Sequence, residues 1–353
     1  MPTLRQSFAP LAACAAVLAT IAFAPAWAQN APRYEVDAAW PKPLPEKWVI
    51  GGLGGVCVDA QDHVVILNRQ DVIEGDLNAG QLAPQIIEFD AAGNVVNSWN
   101  SPQLDPRLHS CHFDGDNNFW VAAAPSGVVQ KFTHDGKQML LQIGTKGKLD
   151  SSDGTEKGKP LNSPAAAFFM PSSISVDRGN GDVFVSDGEG AGSNRRVAVL
   201  DKTGKFLRQW TIEDMETVHC LTMGKDGLLY VCNRLGSGVR VYNKMGQLQR
   251  TINVPWTPVT QPKGALKQSG GSAVAVDFSP DPQQRLMYVI NQNNARVDVI
   301  ERASGKVLTS FGRAGSFPGQ FNQAHGIAVD SKGNIYIAEN RGKRVHKFRP
   351  VGG

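Results

Sequence analysis

Short apolar runs rich in Val and Ile, each closed by Asp, Asn or Gly, recur along the chain from about residue 34 onward. The clearest copy reads Gly326-Ile-Ala-Val-Asp330-Ser-Lys-Gly333-Asn-Ile-Tyr-Ile-Ala338, followed by Arg344-Val-His-Lys-Phe348. Two β-branched runs separated by an Asx/Gly turn predict a hairpin, because Asp and Gly accept the tight-turn backbone that Val and Ile reject. Earlier first hairpins begin at Gly55-Val-Cys-Val-Asp59, Ser110-Cys-His-Phe-Asp114, Ser173-Ile-Ser-Val-Asp177, Cys220-Leu-Thr-Met-Gly224 and Ala273-Val-Ala-Val-Asp277. Second hairpins turn at Asp90–Gly93, His134–Gly136, Asp201–Gly204, Asn243–Gly246 and Ala303–Gly305. Helical periodicity is essentially missing.

Four strands per unit, repeated every 40–60 residues or so, predict the blades of a propeller. Five copies are complete and the sixth stops after its third strand. Tyr34-Glu-Val-Asp37 can supply the missing outer strand, which closes the ring and leaves no open sheet edge. The expected fold is therefore all-β: a six-bladed β-propeller closed by an N-terminal strand. Two connections, Gly144–Met170 and roughly Pro255–Gly270, exceed the usual length and are expected to form rims or lids.

Residues 1–28 alter the picture of where the chain works. Arg5, an apolar run from about Ala9 to Phe23 and the Ala26-Trp27-Ala28 site predict a cleaved signal peptide, and hence a secreted or periplasmic protein. Leu11-Ala12-Ala13-Cys14 resembles a lipoprotein box, but the apolar stretch continues well past Cys14, which favours cleavage over lipidation. Residues 29–353 are expected to form one domain, since no linker or charge run divides them. The net charge of +4 is spread without a Lys/Arg block, which argues against nucleic acid or a membrane surface as partner after cleavage.

Counting five residues back from each first-turn residue gives Gly54, His109, Ser172, His219, Ser272 and His325. A lone histidine at a strand end is ordinarily a hydrogen-bonded or surface residue. Three of six matched positions filled by chance, from seven histidines in all, is roughly a one-in-a-thousand event. Alternate blades stand about 120° apart, so three imidazoles can converge on the axis and hold Zn²⁺ or another divalent transition metal with a fourth position open. His63, His112, His134 and His346 fall in turns or strands and read as ordinary structure.

Second strands return to the histidine end, so their last residues form the rim: Asn68-Arg69, Asp187-Gly188-Glu189, Asn233-Arg234 and Asn340-Arg341. Arg69, with Arg234, can grip a carboxylate, and Glu189 can serve as general base or fourth ligand. Arg341 reads as repeat consensus in water. In blade four the register sets Cys232 opposite His219, which predicts no Cys220–Cys232 disulfide; cross-blade pairing stays open.

The repeats resemble NHL repeats. Through Asn68-Arg69, Leu108-His109-Ser110, Val185-Ser-Asp-Gly188, Val218-His219-Cys220, Cys232-Asn-Arg234 and Ala324-His325-Gly326, the layout is similar to the peptidyl-α-hydroxyglycine α-amidating lyase family. That resemblance implies a six-bladed propeller with His109, His219 and His325 as zinc ligands and Arg69 as the pocket arginine. It also implies cleavage of a C-terminal α-hydroxyglycine to a peptide amide and glyoxylate. The chain departs from the family pattern where Glu189 stands for the proposed catalytic tyrosine and Gln323 for a methionine. Gly326 stands for an aspartate that helps hold a structural calcium, so calcium lacks that side-chain ligand. Neither family disulfide is matched: Phe169 and Gly190 stand at one pair, Tyr230 and Tyr242 at the other.

The leading expectation is an exported metal-dependent lyase-like enzyme acting on a small α-hydroxy-amide or related anionic substrate, or on a peptide C-terminus. Two alternatives stand: a non-catalytic NHL propeller that binds a protein or peptide, and a metal-dependent hydrolase. The histidine triplet counts against the hydrolase reading, since sites of that kind favour carboxylate and amide oxygens around calcium.

Overall fold

The computed structural model describes residues 31–236, 238–256 and 272–352. The signal segment and lipoprotein-like box lie outside the described residues, as does most of the Pro255–Gly270 connection. Among the described residues, six antiparallel four-stranded sheets form the blades, and a short parallel pair joins Trp48–Val49 to Gln81–Leu82. Blade 1 holds Leu53–Val58, Val64–Asn68, Ile86–Phe89 and Val95–Trp99. Blades 2 to 5 begin with the innermost strands Ser110–Phe113, Pro171–Val176, Val218–Met223 and Ala273–Phe278. Blade 6 comprises Ala324–Val329, Ile335–Glu339 and Arg344–Val351, and its outer strand is Arg33–Val36, paired Val36 to Phe348. The N-terminal strand thus closes the ring as the alternation predicts. No helix among the described residues is long and apolar enough to cross a membrane.

Burial explains the strand compositions. Second strands such as Val64–Asn68 and Ile335–Glu339 are buried throughout, because neighbouring blades cover both faces. Outer strands such as Leu248–Asn253 are mostly exposed and carry polar residues. Six buried apolar clusters fill the blade-to-blade interfaces; one between blades 4 and 5 packs Tyr230, Val239, Val276 and Phe278. Each fully buried aliphatic side chain there contributes about 1.5–3 kcal/mol.

A repeated irregularity aims the axial residues. In blades 1, 3, 4 and 6 the inner hairpin slips by one residue, leaving Gly54, Ser172, His219 and His325 without a cross-strand partner. Such a bulge re-aims one side chain without dissolving the ladder. It also corrects the expected cysteine register: Cys220, not His219, opposes Cys232, and the two cysteines form a disulfide. A second disulfide, Cys57–Cys111, joins the innermost strands of blades 1 and 2. It closes a loop with a sequence separation of 54. Replacing both Cys57 and Cys111 by serine is expected to cost about 2–4 kcal/mol in urea unfolding, with an unchanged midpoint as the contrary result.

Candidate metal centre

His109, His219 and His325 come together on the axis, from blades 2, 4 and 6. Their ring centroids lie 4.9, 4.8 and 5.0 Å apart, nearly an equilateral triangle, and all three residues are buried. Each ring is held by the next blade round the ring. His109 Nδ1 donates to the Ser172 carbonyl (2.6 Å), His219 Nδ1 to Val274 (2.7 Å) and His325 Nδ1 to Gly54 (2.8 Å). A backbone carbonyl can only accept, so the proton sits on Nδ1 and the Nε2 lone pair is left free. Burial pushes the His219 pKa down to about 3, and burial with the neighbouring imidazoles holds His325 well below its usual value. Neutral imidazole is the form that binds a metal.

The small residues between the histidines have their own geometry. A Cβ on Gly54 would lie 1.9 Å from the Leu108 carbonyl oxygen, so any side chain there forces blades 1 and 2 apart. That same carbonyl accepts Arg69 Nε at 2.9 Å, which fixes the Arg69 side chain beside the triad. Ser172 Oγ donates to the Val218 carbonyl (2.7 Å), tying it to the following blade, and Ser272 Oγ to the Arg234 carbonyl (2.8 Å), tying it to the preceding one.

Glu189 completes the cluster. Its Oε2 lies 3.2 Å from His219 Nε2 and 3.5 Å from His109 Nε2, and its Oε1 accepts Arg234 Nη1 at 2.8 Å. Burial opposes ionisation of Glu189, yet the Arg234 guanidinium against its Oε1 helps hold its carboxyl well below the usual range. The Nε2 atoms of His109 and His219 and Oε2 of Glu189 are buried with no hydrogen-bond partner. With the tautomers fixed by the carbonyls, these are lone pairs facing one another, an arrangement that a cation among them relieves. One donor atom from each of His109, Glu189, His219 and His325 lies within 4.8 Å of all the others, so the group can hold a metal ion. Three imidazoles and a carboxylate suit a transition metal better than calcium. A Cβ at Gly326 would stand 2.9 Å from Gly55 Cα, leaving no room there for a side-chain calcium ligand.

Arg69, Glu189 and Arg234 gather at one end of the axis, as the second-strand register predicts. The Arg69 charge feels Glu189, Asp71, Arg234 and Arg107, although burial is the larger influence and lowers its pKa. Arg107, which the motifs did not flag, pairs with Glu156 at 2.9 Å, so the long Gly144–Met170 connection reaches this rim. Gln292 was also missed: it accepts from Arg234 Nη2 at 3.4 Å and donates to the Ala324 carbonyl at 2.9 Å. Its position after Asn291 repeats Asn68-Arg69 and Asn233-Arg234, and that register is the signal that finds it. Arg341 is exposed, as expected of repeat consensus.

Asp187 does not stand on the rim. It is fully buried, accepts Phe169 N (3.0 Å), Met170 N (2.9 Å) and Asn194 Nδ2 (2.8 Å), and pairs with Arg196 Nε at 3.0 Å. Burial raises its pKa against the pull of Arg196. Asp187 is thus the pin under the turn that carries Glu189.

A channel of about 610 Å³ runs from the histidines between the innermost strands to Asp177, Arg178, Lys225 and Asp277. Arg69, Glu189 and Arg234 do not line it. His112 does, and its Nε2 accepts Val176 N at 3.3 Å. Burial and the Arg178 charge push its pKa down to about 4 from 6.5. The unfolded chain therefore binds a proton first, so this contribution is whole above pH 6.5 and lost as pH falls to about 4. The shift is worth up to about 3 kcal/mol, and nearer 2 because channel water reaches the ring. The stability difference between wild type and His112→Phe should shrink by that much between pH 7 and 4; a pH-independent difference contradicts it.

The NHL repeat model matches residues 321–348. Human NHL repeat-containing protein 3 is 25% identical over 354 residues, covering 95% of this chain and 89% of that protein. Rat peptidylglycine alpha-amidating monooxygenase is 22% identical over 320 residues, covering 84% of this chain and 30% of that protein. Among solved structures, a streptogramin B lyase superposes with TM-score 0.54 at 12% identity, covering 91% of this chain and 98% of that one. An auxiliary nutrient binding protein from Bacteroides thetaiotaomicron also gives 0.54 at 12% identity, covering 86% and 70%. At these identities the structural matches establish the propeller fold alone. The sequence matches tie the chain to NHL repeat proteins and, distantly, to peptidylglycine amidating enzymes.

Proposed function

We propose that the chain is a metal-dependent enzyme of lyase type, acting at the axial histidines on a small α-hydroxy-amide or related anionic substrate, including a peptide C-terminus. The observation that carries this reading is the set of free Nε2 lone pairs, each fixed by an Nδ1–H bond to a carbonyl of the next blade. A divalent transition metal, Zn²⁺ by the donor set, would be held by His109, His219 and His325, and when bound supplies Lewis-acid polarisation of a hydroxyl or carbonyl. Arg69 has its Nε committed to Leu108, which leaves its Nη atoms to orient a carboxylate. Arg234 holds Glu189 ionised and in place. Glu189 accepts a proton from the substrate hydroxyl. Its lowered pKa makes it a weaker base than the tyrosine it stands for in the resembling family, so slow turnover is expected. The similarity to the rat amidating enzyme supports this substrate class. Residues 1–28 direct export and residues 29–353 form the working domain in a secreted or periplasmic setting.

Untagged protein should carry a stoichiometric transition metal and release glyoxylate and the acyl amide from an N-acyl-α-hydroxyglycine. Protein free of metal would end the proposal. A second reading draws on Glu189, which can close the donor set to four, the pattern of a structural site. A bound metal with no turnover would favour that reading, a non-catalytic propeller that binds a protein or peptide. It accords with the similarity to NHL repeat-containing protein 3.

A further inference from the structure

Blades 1 and 2 meet at a second cluster of metal-ligating side chains, at the end of the innermost strands opposite the triad. The six-residue strand Leu53–Val58 separates the two ends, about 20 Å at 3.3 Å per residue. Asp59 stands at the far end of that strand, His63 directly after Asp62 in the turn, and Glu88 on the third strand of blade 1. His134 reaches across from the outer turn of blade 2, its ring 5.3 Å from that of Phe113.

Four donor atoms form a closed ring. Asp59 Oδ2 lies 3.0 Å from His134 Nε2, which lies 3.6 Å from Glu88 Oε1. Glu88 Oε1 lies 2.7 Å from His63 Nδ1, which lies 3.8 Å from Asp59 Oδ2. Ligands at 2.0–2.1 Å on one tetrahedral ion stand about 3.3 Å apart, and one donor atom each of Asp59, Glu88 and His134 lies within 4.8 Å of the other two. The carboxylates are deeply placed, with side-chain exposures of 0% for Asp59 and 5% for Glu88. Among the described residues neither has a Lys or Arg ion-pair partner. The Asp59 Oδ1 atom is already taken by the backbone N–H groups of Gln61 (2.8 Å) and His63 (2.7 Å), and Glu88 Oε2 by Asn97 Nδ2 (3.2 Å). These bonds orient the remaining oxygens toward the imidazoles. Two buried carboxylates side by side favour a cation between them, because burial disfavours charge left without a counter-ion.

We infer that Asp59, Glu88 and His134, whose donor atoms lie within 4.8 Å of one another, form a second divalent-metal site that ties blade 1 to blade 2, with His63 against Glu88 at 2.7 Å as its neighbour. The inference does not depend on the axial site. With ligands drawn from two blades, its role is to clamp them together.

Zinc titration of metal-stripped full-length protein tests it, with Zn²⁺ alone as the probe and bound metal counted after gel filtration. Wild type should bind two ions per chain, and His63→Ala/His134→Ala one. The half-exposed side chains of His63 and His134 make that variant mild for folding. The His109→Ala/His219→Ala variant should also bind one, and Zn²⁺ should still raise its melting temperature. Glu88→Gln, which keeps the shape and the Asn97 contact, should weaken the second site at least about 10-fold. One ion in wild type together with none in His109→Ala/His219→Ala overturns the inference and leaves the axial site standing. One ion in His109→Ala/His219→Ala and none in His63→Ala/His134→Ala would fail the axial reading instead.

Discussion

The His219→Ala variant is expected to lose two to three orders of magnitude, roughly, in Zn²⁺ affinity at the axial site. The estimate follows from dividing the roughly 10–16 kcal/mol of a four-donor zinc site among its ligands, about 3–4 kcal/mol each. The variant also strands the Val274 carbonyl, which loses its Nδ1–H donor at a buried position. That adds about 1 kcal/mol to the cost in stability. Competition against a chromophoric chelator reads the affinity directly. Arg234→Ala is the control, since Arg234 touches Glu189 and none of the ring nitrogens; it should lower turnover while the affinity moves far less. Equal affinities for wild type and His219→Ala would show that the facing lone pairs do not gather round an ion.

Asp187→Ala carries the second large effect. Arg196 is completely buried, and removal of Asp187 leaves it with Asp150 at 3.4 Å as its remaining carboxylate. Breaking a buried pair from one side costs roughly 3–5 kcal/mol, because the surviving charge stays out of water. The backbone amides of Phe169 and Met170 lose their acceptor in the same step, and Met170 O anchors Glu189 N at 3.0 Å. The variant should therefore unfold at lower urea and turn over more slowly in the material that stays folded. The double change Asp187→Leu/Arg196→Met should recover most of the stability but not the activity. Similar unfolding midpoints for wild type and Asp187→Ala would refute the assignment.

Much of this was legible in the sequence because it rests on local chemistry. Val/Ile runs and Asx- or Gly-containing turns define every blade, and counting back from each first turn lands on all three axial histidines. The return of each second strand to the histidine end placed Arg69, Glu189 and Arg234 there. What the sequence hid depends on geometry that alternation alone does not encode. Strict period-two reading puts Cys220 and Cys232 on different faces, but the bulge at His219 adds one residue and brings them together. Asp187 looked like a rim residue because its neighbour Glu189 is one; the buried Arg196, nine positions later, draws it inward. His63 and His134 read as ordinary turn residues because their carboxylate partners come from different strands and, for His134, a different blade. Contacts between non-adjacent strands leave no spacing signature.

The outer strand of blade 6 has a consequence for the order of assembly. Val36 pairs with Phe348 over more than 300 residues of intervening chain, and closing so long a loop costs about 5 kcal/mol in chain entropy. Blades 1 to 5 are local hairpin stacks that can form as they emerge; blade 6 cannot finish until both ends are free to meet. The His325 ring belongs to that last blade, and its anchor, the Gly54 carbonyl, belongs to the first. An ion held by all three histidines therefore bridges the seam of the ring, and chelation should speed the opening of that seam before any other interface yields.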